Sequence, residues 1–245
     1  EKALPHLAEH HSFAGLFNFT WNDIGVGRHV LSTVARQRLQ GSVSFDDPET
    51  EKLLRKFLPQ SLRAAIAARR LFANRRPAAV LFLEKGYTPY GELFDAAIAQ
   101  RLNVIQYHHA HRSDLIIMKR YSAENRFQHS HSLSKSWETV KAMPWTKEND
   151  DAFMNDLQRA YTEGTWFNRK KLLEGKKVKT PDDVRAQLKL DPAKKTAVVF
   201  SHILWDATFF FGTNLFEDYE KWLVATVRAA CANPRVNWVV KLHPD

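Results

Sequence analysis

Residues 75–110 read RRPAAVLFLEKGYTPYGELFDAAIAQRLNVIQYHHA, and this stretch decides the fold class. Residues 79–83 are a short continuous apolar run, which is typical of a parallel strand that is buried on both faces. The loop EKGYTPYG follows, and residues 91–102 then have the apolar spacing of a helix. Residues 103–107 favour a second strand. The order strand, loop, helix, strand predicts a βαβ unit.

A second copy of this pattern lies near the other end of the sequence. Residues 195–203 predict a strand, residues 215–232 an amphipathic helix, and residues 237–244 the next strand. A parallel sheet of two strands with one helix leaves apolar faces uncovered. We therefore expect an α/β protein with two Rossmann-like lobes built on parallel sheets, of which the second is incomplete because the chain is truncated.

The division that this pattern predicts is a first lobe with a helical connection over residues 1–165 and the beginning of a second lobe over residues 166–245. Within the first lobe, residues 23–39 and 47–73 have helical spacing. Asp47 is a candidate N-cap for the second of these helices, because proline and acidic residues follow it.

Composition limits the classes of function. Lys and Arg outnumber Asp and Glu by 36 to 27, which gives a net charge of +9 and favours anionic partners. The basic residues are dispersed, as on solvated faces, whereas a nucleic-acid-binding module concentrates them, so we expect no nucleic-acid partner. The single cysteine, Cys231, excludes a disulfide framework and a cysteine zinc site. No apolar run reaches the ~18 residues that a membrane-spanning helix needs.

Polar residues follow each predicted strand, where ligands of open α/β sheets bind. They are Glu84, His108, His109, Ser201, His202 and His243. A helix begins near each of these loops, and helix N-termini favour phosphate. Neither G-x-x-x-x-G-K-[ST] nor G-x-G-x-x-G occurs in the sequence.

The residues alone leave the roles of these groups open. Glu84 is a candidate general base, since a partly desolvated carboxylate can be tuned toward the working pH. Its alternative is a structural carboxylate that caps the loop or pairs with Lys85 or Arg112. His108 and His109, in the predicted loop HHAHR, either bind an acceptor or a phosphate or belong to a polar loop. A zinc site is disfavoured there, because no carboxylate ligand is close in sequence.

The aromatic loop after residue 203, LWDATFFFGTN, has two readings. Its phenylalanines, Phe209 to Phe211, either pack in the core or line a ligand cleft.

The stretch VVKLHPD (239–245) resembles the K-x-H-P element of bacterial capsule and surface-polysaccharide glycosyltransferases of the two-lobed GT-B type. Related elements occur in bacterial sialyltransferases, Kdo transferases and CDP-glycerol transferases. The resemblance extends upstream through the second βαβ pattern to residue 198. It continues in FTWNDIGVGRH (19–29) and EKGYTPYGELFDAA (84–97), which look like the acceptor lobe of the same proteins, and it covers roughly residues 15–245.

This resemblance implies transfer of a sugar from a nucleotide-activated donor to a glycan or lipid-linked glycan acceptor, without a metal or cofactor. It assigns the donor phosphate and nucleotide cleft to His243, Lys241, Ser201 and His202. It assigns the base to Glu84, which stands where related enzymes have an acidic-x-Gly element, although the middle residue here is Lys85 rather than an acid.

On the acceptor side the same reading assigns Tyr87, His108 and His109. The family implies a cytoplasmic protein at the inner face of the cytoplasmic membrane, with association at the membrane surface. Two alternatives stay open: a CDP-alditol phosphotransferase of the teichoic-acid type, and a non-catalytic module that binds polyanions.

Overall fold

The computed structural model describes residues 12–110, 114–162, 179–206, 208–211 and 215–243. Its architecture is mixed α/β, with a three-stranded mixed sheet and a two-stranded parallel sheet. The described residues fall into two units. The first runs up to Tyr107 and includes Met118–His129 and the chain from Asp191 onward, and the second comprises His108–Ile117 and Ser130–Leu190. The predicted boundary between residues 165 and 166 lies outside the described residues.

The first βαβ unit is present as predicted. Strand β1 pairs in parallel with β2, with Val80 opposite Val104, and α4 connects them. A further strand, β3, lies on the other side of β2 and was not predicted. The bounds are β1 Val80–Phe82, α4 Tyr90–Ala99, β2 Val104–His109 and β3 Ile116–Tyr121.

Burial of β1 on both faces, which its apolar run predicted, is wrong. Phe82 is buried and packs against Phe94 of α4, with ring centroids 5.4 Å apart. Leu81 points to the opposite face and is 60% exposed, and Leu83 is 49% exposed. The apolar run therefore predicted the strand correctly but not its environment, because helices cover only one side of it among the described residues.

Three helices precede this unit and contribute to the same core: α1 Phe13–Phe17, α2 Val26–Arg38 and α3 Pro48–Asn74. The predicted start of α3 is confirmed, since the Asp47 side chain accepts a hydrogen bond from the Glu49 amide and Pro48 occupies the first turn. Helix α3 packs against both α2 and α4. The core of the unit lies between these helices and the sheet.

The second predicted βαβ unit is also confirmed. Strands β4 (Lys195–Phe200) and β5 (Val236–Lys241) are parallel and in register from Lys195 opposite Val236 to Phe200 opposite Lys241. Helix α8 (Tyr219–Cys231) connects them, and Asp218 caps its N-terminus by accepting a hydrogen bond from the Lys221 amide. This βαβ belongs to the first unit, together with β1 and α4.

The second unit contains α5 (Trp137–Lys141), α6 (Lys147–Thr162) and α7 (Pro181–Gln187). Thr180 and Asp183 form a reciprocal capping box at the start of α7. None of the helices in the described ranges is long and apolar enough to cross a membrane.

The sheet of β4 and β5 exposes a set of large apolar side chains. They are Val198 (47% exposed), Phe200 (71%), Trp238 (38%), Val240 (37%) and Leu242 (63%). Exposed apolar residues beside a strand edge favour association with other chains.

We expect the purified chain to self-associate through this sheet. Residues 195–200 and 236–241 should then exchange amide hydrogens faster than 80–82 and 104–107, which β3 and three helices support. Phe200→Ser should reduce self-association in sedimentation velocity, whereas Leu71→Ser, at a 50% exposed position of α3, should not. A monodisperse monomer with equal protection in both sheets would contradict this expectation.

Candidate functional site

The loops that follow β1 and β4 meet within the first unit. The Tyr87 hydroxyl donates a hydrogen bond to Asp206 Oδ1 over 2.6 Å. The Phe210 ring packs edge-on against Tyr87, with centroids 5.5 Å apart. It also lies directly on Gly86, where a Cβ atom would overlap the ring. The carboxyl ends of the two βαβ units are thereby held together.

The aromatic loop after β4 supplies part of this contact. Phe209 and Phe210 are buried, and Phe209 packs against Phe13 of α1. The core-packing reading is therefore correct for these two residues. Phe210 also lines a small cavity, but a ligand cleft at this loop stays a prediction.

Glu84 lies at this meeting point, just beyond β1. Burial raises the pKa of its carboxyl group, the charge of Arg36 lowers it, and the charge of Asp206 raises it, with a net increase. Lys85 turns its ammonium group to the carbonyls of Arg126 and Gln128, so the alternative of a Glu84–Lys85 pair is wrong. Arg112, the other suggested partner, lies outside the described residues. The half-buried Glu84 is thus suited to accept a proton, and its catalytic role stays a prediction.

Arg36, which the sequence did not single out, provides the positive charge beside Glu84. Its guanidinium group lies over the Tyr87 ring, 4.5 Å from the centroid, and 5.9 Å from the Trp205 ring. Tyr87 is itself buried, and its hydroxyl already binds Asp206. In this arrangement Tyr87 positions its neighbours, while its predicted contact with an acceptor stays a prediction.

The carboxyl ends of β4 and β5 bring two predicted donor residues together. The Ser201 amide donates to the Lys241 carbonyl, and the His243 amide donates to Ser201 Oγ, both over 3.0 Å. Lys241 is exposed at the last position of β5. His202 is exposed, and its ring lies 4.4 Å from that of Tyr219, at the start of α8. Of the predicted donor-site residues, Ser201 and His243 are the two that these backbone hydrogen bonds hold next to each other.

The prediction that His108 and His109 lie in a loop is wrong. They are the last two residues of β2. The strand extends this far because β3 pairs with β2 on that side. His109 is exposed, and the His108 ring lies 5.8 Å from the His131 ring within the second unit. In the part of the chain that the structure describes, no cluster of three or more His, Cys, Asp or Glu residues is arranged to hold a metal ion.

A buried ion network near the start of α2 was missed by the sequence analysis. Asp95 Oδ2 lies 2.9 Å from His29 Nε2 and 2.7 Å from an Arg126 guanidinium nitrogen. It also accepts a hydrogen bond from the Gly25 amide over 2.9 Å. Burial alone raises the pKa of Asp95, but His29, Arg126 and the Gly25 amide lower it below its ordinary value.

The same contacts act on the pKa of His29. Its Nε2 faces the Asp95 carboxylate, and its Nδ1 lies 3.4 Å from the Gly86 carbonyl oxygen. Both partners are acceptors, so they favour the protonated ring, which can donate from both nitrogens. Burial lowers the pKa of His29, but Asp95, Glu92 and the Gly86 carbonyl together raise it above its usual value.

Lys85 joins this network from the β1 side. It is 3% exposed and donates to the Arg126 and Gln128 carbonyls over 2.9 and 2.6 Å. Its ammonium group also lies 4.1 Å from the centroid of the Tyr121 ring. Burial, followed by the charge of Lys119, lowers the pKa of Lys85 to about 7.

Side chains of this network line a small cavity of about 10 Å³ that is partly open to solvent, which is room for roughly one water molecule. Its walls are Arg28, His29, Lys85, Phe94, Asp95, Arg126, Phe127 and Phe210. The stretches 19–29 and 84–97, which were quoted for the resemblance, contain His29 and Asp95, but nothing in them predicts that the two side chains meet.

Comparisons with known proteins identified no relative. No family model, no curated protein and no solved structure matches this chain. The resemblance to capsule glycosyltransferases therefore stays a prediction that the motifs alone carry.

Asp95→Asn should destabilise the protein by about 3–5 kcal/mol, because it leaves buried positive charge without its partner. The contribution of Asp95 to the free energy of unfolding is fully present at pH values above the ordinary aspartate pKa. It is lost as the pH falls through the lowered pKa of Asp95 in the folded state. Urea unfolding at pH 7 measures the difference. Asp182→Asn is the matched control, since the Asp182 side chain is 89% exposed. Similar losses in the two variants would contradict the importance of the network.

Lys85→Met should remove a rise in stability with pH. The folded-state pKa of Lys85, about 7, lies below the ordinary value of 10.5. The unfolded chain therefore binds more protons between these values, and the free energy of unfolding increases as the pH rises. Urea unfolding from pH 7 to pH 9.5 should show a steeper rise for the wild type than for the variant. Parallel curves would contradict the lowered pKa.

Proposed function

We propose that the protein is a glycosyltransferase of the GT-B type. It transfers a sugar from a nucleotide-activated donor to a glycan or lipid-linked glycan of the cell surface. The observation that supports this most is the position of Glu84. A half-buried carboxylate with a raised pKa stands at the carboxyl end of β1, next to the point where Tyr87 binds Asp206 of the loop that follows β4.

In this proposal Glu84 accepts the proton of the attacking acceptor hydroxyl. The acceptor oxygen forms a bond to the anomeric carbon of the donor sugar, and the bond from that carbon to the phosphate oxygen breaks. The nucleotide leaves with the electron pair of the broken bond. A carboxylate whose pKa is raised toward neutrality is a better base than an ordinary one, provided it stays ionised at the working pH.

The leaving phosphate requires positive charge or hydrogen-bond donors. Ser201 and His243, joined through the His243 amide, stand at the end of the β4–β5 sheet, and Lys241 and His202 are exposed beside them. These four residues are our proposed donor-phosphate site. Arg36 lies near Glu84 and adds a positive charge on the other side.

Acceptor binding is proposed for Tyr87, His108 and His109. Because the acceptor class includes lipid-linked glycans, the proposed place of action is the cytoplasm, at the inner face of the membrane. The net charge of +9 supports this, since cationic residues are attracted to anionic lipid headgroups.

Glu84→Gln in the full-length protein should lower kcat by about 10²–10⁴-fold, since it removes the base while keeping the shape of the side chain. The donor KM should change little. Transfer is measured with a panel of nucleotide sugars and CDP-glycerol, each with a glycan acceptor. Glu138→Gln is the control, because the Glu138 side chain is 80% exposed on α5.

Several outcomes would decide against the proposal. Full activity of Glu84→Gln would remove Glu84 from the mechanism. Transfer of glycerol phosphate but of no sugar would make the protein an alditol phosphotransferase instead. Binding of polyanions without turnover of any donor would favour a non-catalytic module.

His243→Ala should reduce turnover and raise the donor KM, because it removes a proposed contact with the donor phosphate. The backbone amide that binds Ser201 remains in this variant, so the local fold should be kept. Unchanged kinetics for His243→Ala would exclude His243 from the donor site.

A further inference from the structure

The outward face of α3 carries a row of positive charges. Lys56, Arg63 and Arg70 are exposed, and each stands two helical turns from the next. Seven residues return a regular helix to within about 20° of the same direction, so the three side chains lie along one line. A rise of about 1.5 Å per residue separates neighbours in this line by about 10 Å and makes it about 21 Å long. These three residues are called the α3 row.

The rest of α3 differs from the row in its charge pairs. In its first turns Lys52 pairs with Glu49 and Arg55 pairs with Glu51, as is usual on a solvated helix. Beyond these turns, no Asp or Glu occurs in the sequence before residue 84. Within the described part of the chain, the members of the α3 row form no salt bridge. The row is therefore a line of positive charge without compensating carboxylates.

Neutral residues separate the members of the row, and the core holds the other side of the helix. Gln60 and Ala67 lie between them on the same side of α3. On the opposite side Leu58, Leu62 and Ala65 are buried in the core, and α3 packs against α2 and α4. The row is thus held on a rigid helix with its charges directed to solvent.

The α3 row begins toward the candidate site and leads away from it. The Ser61 hydroxyl donates a hydrogen bond to Glu92 in the first turn of α4, and the Gln100 side chain, just after α4, donates to the Arg69 carbonyl over 3.2 Å. The two helices therefore run in the same direction. Because α4 begins after the loop that follows β1, the beginning of α3 lies toward the carboxyl end of β1, where Glu84 stands.

We propose that the α3 row binds a linear acidic polysaccharide. The polymer lies along the helix with its carboxylates on Lys56, Arg63 and Arg70, and the Gln60 amide faces its hydroxyl groups. The inference rests on the proposed function in one respect, because it makes an acidic glycan the acceptor, whose chain extends along α3 from the end of the sheet that carries Glu84. Binding of the polymer does not itself require the transfer reaction.

The spacing of the charges favours a polysaccharide over other polyanions. A nucleic-acid strand in a duplex has about one phosphate per 3.4 Å of axis, so a row with one cation per 10 Å would leave most phosphates unpaired. The row also has no aromatic residue on which bases could stack. Helices that bind membrane surfaces combine cations with apolar side chains that enter the lipid, whereas amide and methyl side chains separate the cations here. Acidic polysaccharides carry carboxylates on only some of their sugars, so their charges are sparse and lie in a line.

The test measures binding of fluorescent hyaluronan fragments of increasing length to the full-length protein. Hyaluronan is the probe because its carboxylates alternate with neutral sugars. Fluorescence anisotropy at one fixed salt concentration gives the Kd. Dextran serves as the neutral polymer, and single-stranded DNA and vesicles that contain phosphatidylglycerol are compared as other polyanionic surfaces.

We expect hyaluronan to bind and dextran not to bind. The affinity should rise with fragment length until a fragment spans the row, about 21 Å, and change little beyond that. Lys56→Gln, Arg63→Gln and Arg70→Gln should each weaken binding by about two- to fivefold, as loss of an exposed ion pair does. The triple variant should weaken it by about tenfold or more. Glutamine is a good helix former, and circular dichroism checks that the fold is kept.

A matched triple variant controls for net charge. Lys195→Gln, Arg228→Gln and Arg235→Gln remove the same charge from exposed positions of the second βαβ unit. The Kd for hyaluronan should stay within about twofold of the wild-type value in this variant, because charges far from the bound polymer are screened.

Three results would overturn the inference. Hyaluronan binds no more strongly than dextran. Alternatively, the two triple variants weaken binding equally, which would mean that the net charge of the protein attracts the polymer and that the row does not. Finally, DNA or the vesicles bind more tightly than hyaluronan and lose affinity in the row variant, which would make the row a surface for that polyanion instead.

Transfer assays separate this inference from the proposed function. Binding of hyaluronan that depends on the row, without turnover of any donor, would support the polysaccharide surface and overturn only the transferase activity. Transfer of a sugar by a protein that does not bind hyaluronan would have the opposite meaning.

Discussion

The hydrogen bonds to Asp95 hold together the parts of the chain on which the first unit depends. The carboxylate stands on α4 and binds the amide that precedes α2, the imidazole of α2 and the guanidinium of the segment after β3. Two stretches that are distant in sequence from α4, around residues 25–29 and at Arg126, thus converge on one of its oxygen atoms. Because the site is buried, each of these contacts is strong, and losing one leaves the others without compensation.

Close approach of the backbone makes this convergence possible. Gly91, at the start of α4, lies against the His29 ring, where a Cβ atom would overlap the imidazole. Gly86 lies in the same way against Phe210. The two glycines allow α2 and the loop after β4 to reach the carboxyl end of β1 from different directions. Glu84 and Lys85, between β1 and these glycines, consequently face different neighbours.

Local patterns were sufficient to predict much of the fold. The apolar runs of β1, β2, β4 and β5, the helical spacing of α2 to α4, and the cap at Asp47 are each properties of a few adjacent residues. Strand β3 was missed because its sequence, IIMKRY, alternates weakly and is mostly exposed or half-buried. The exposure of Leu81 was missed because it depends on which helices lie over the sheet. Likewise the His29–Asp95 pair joins residues 66 positions apart, and no local pattern reports such a contact.

Lys85 has a consequence for how this sequence can change. Its ammonium group is enclosed by two carbonyl oxygens, from Arg126 and Gln128, which can accept hydrogen bonds but cannot donate them. An acidic residue at this position would place a carboxylate against those oxygens and would be repelled. A switch from lysine to an acid at residue 85 would therefore need a rearrangement of the 126–128 backbone to accompany it. In divergent sequences with this fold, residue 85 and the segment 126–128 after β3 should therefore change together.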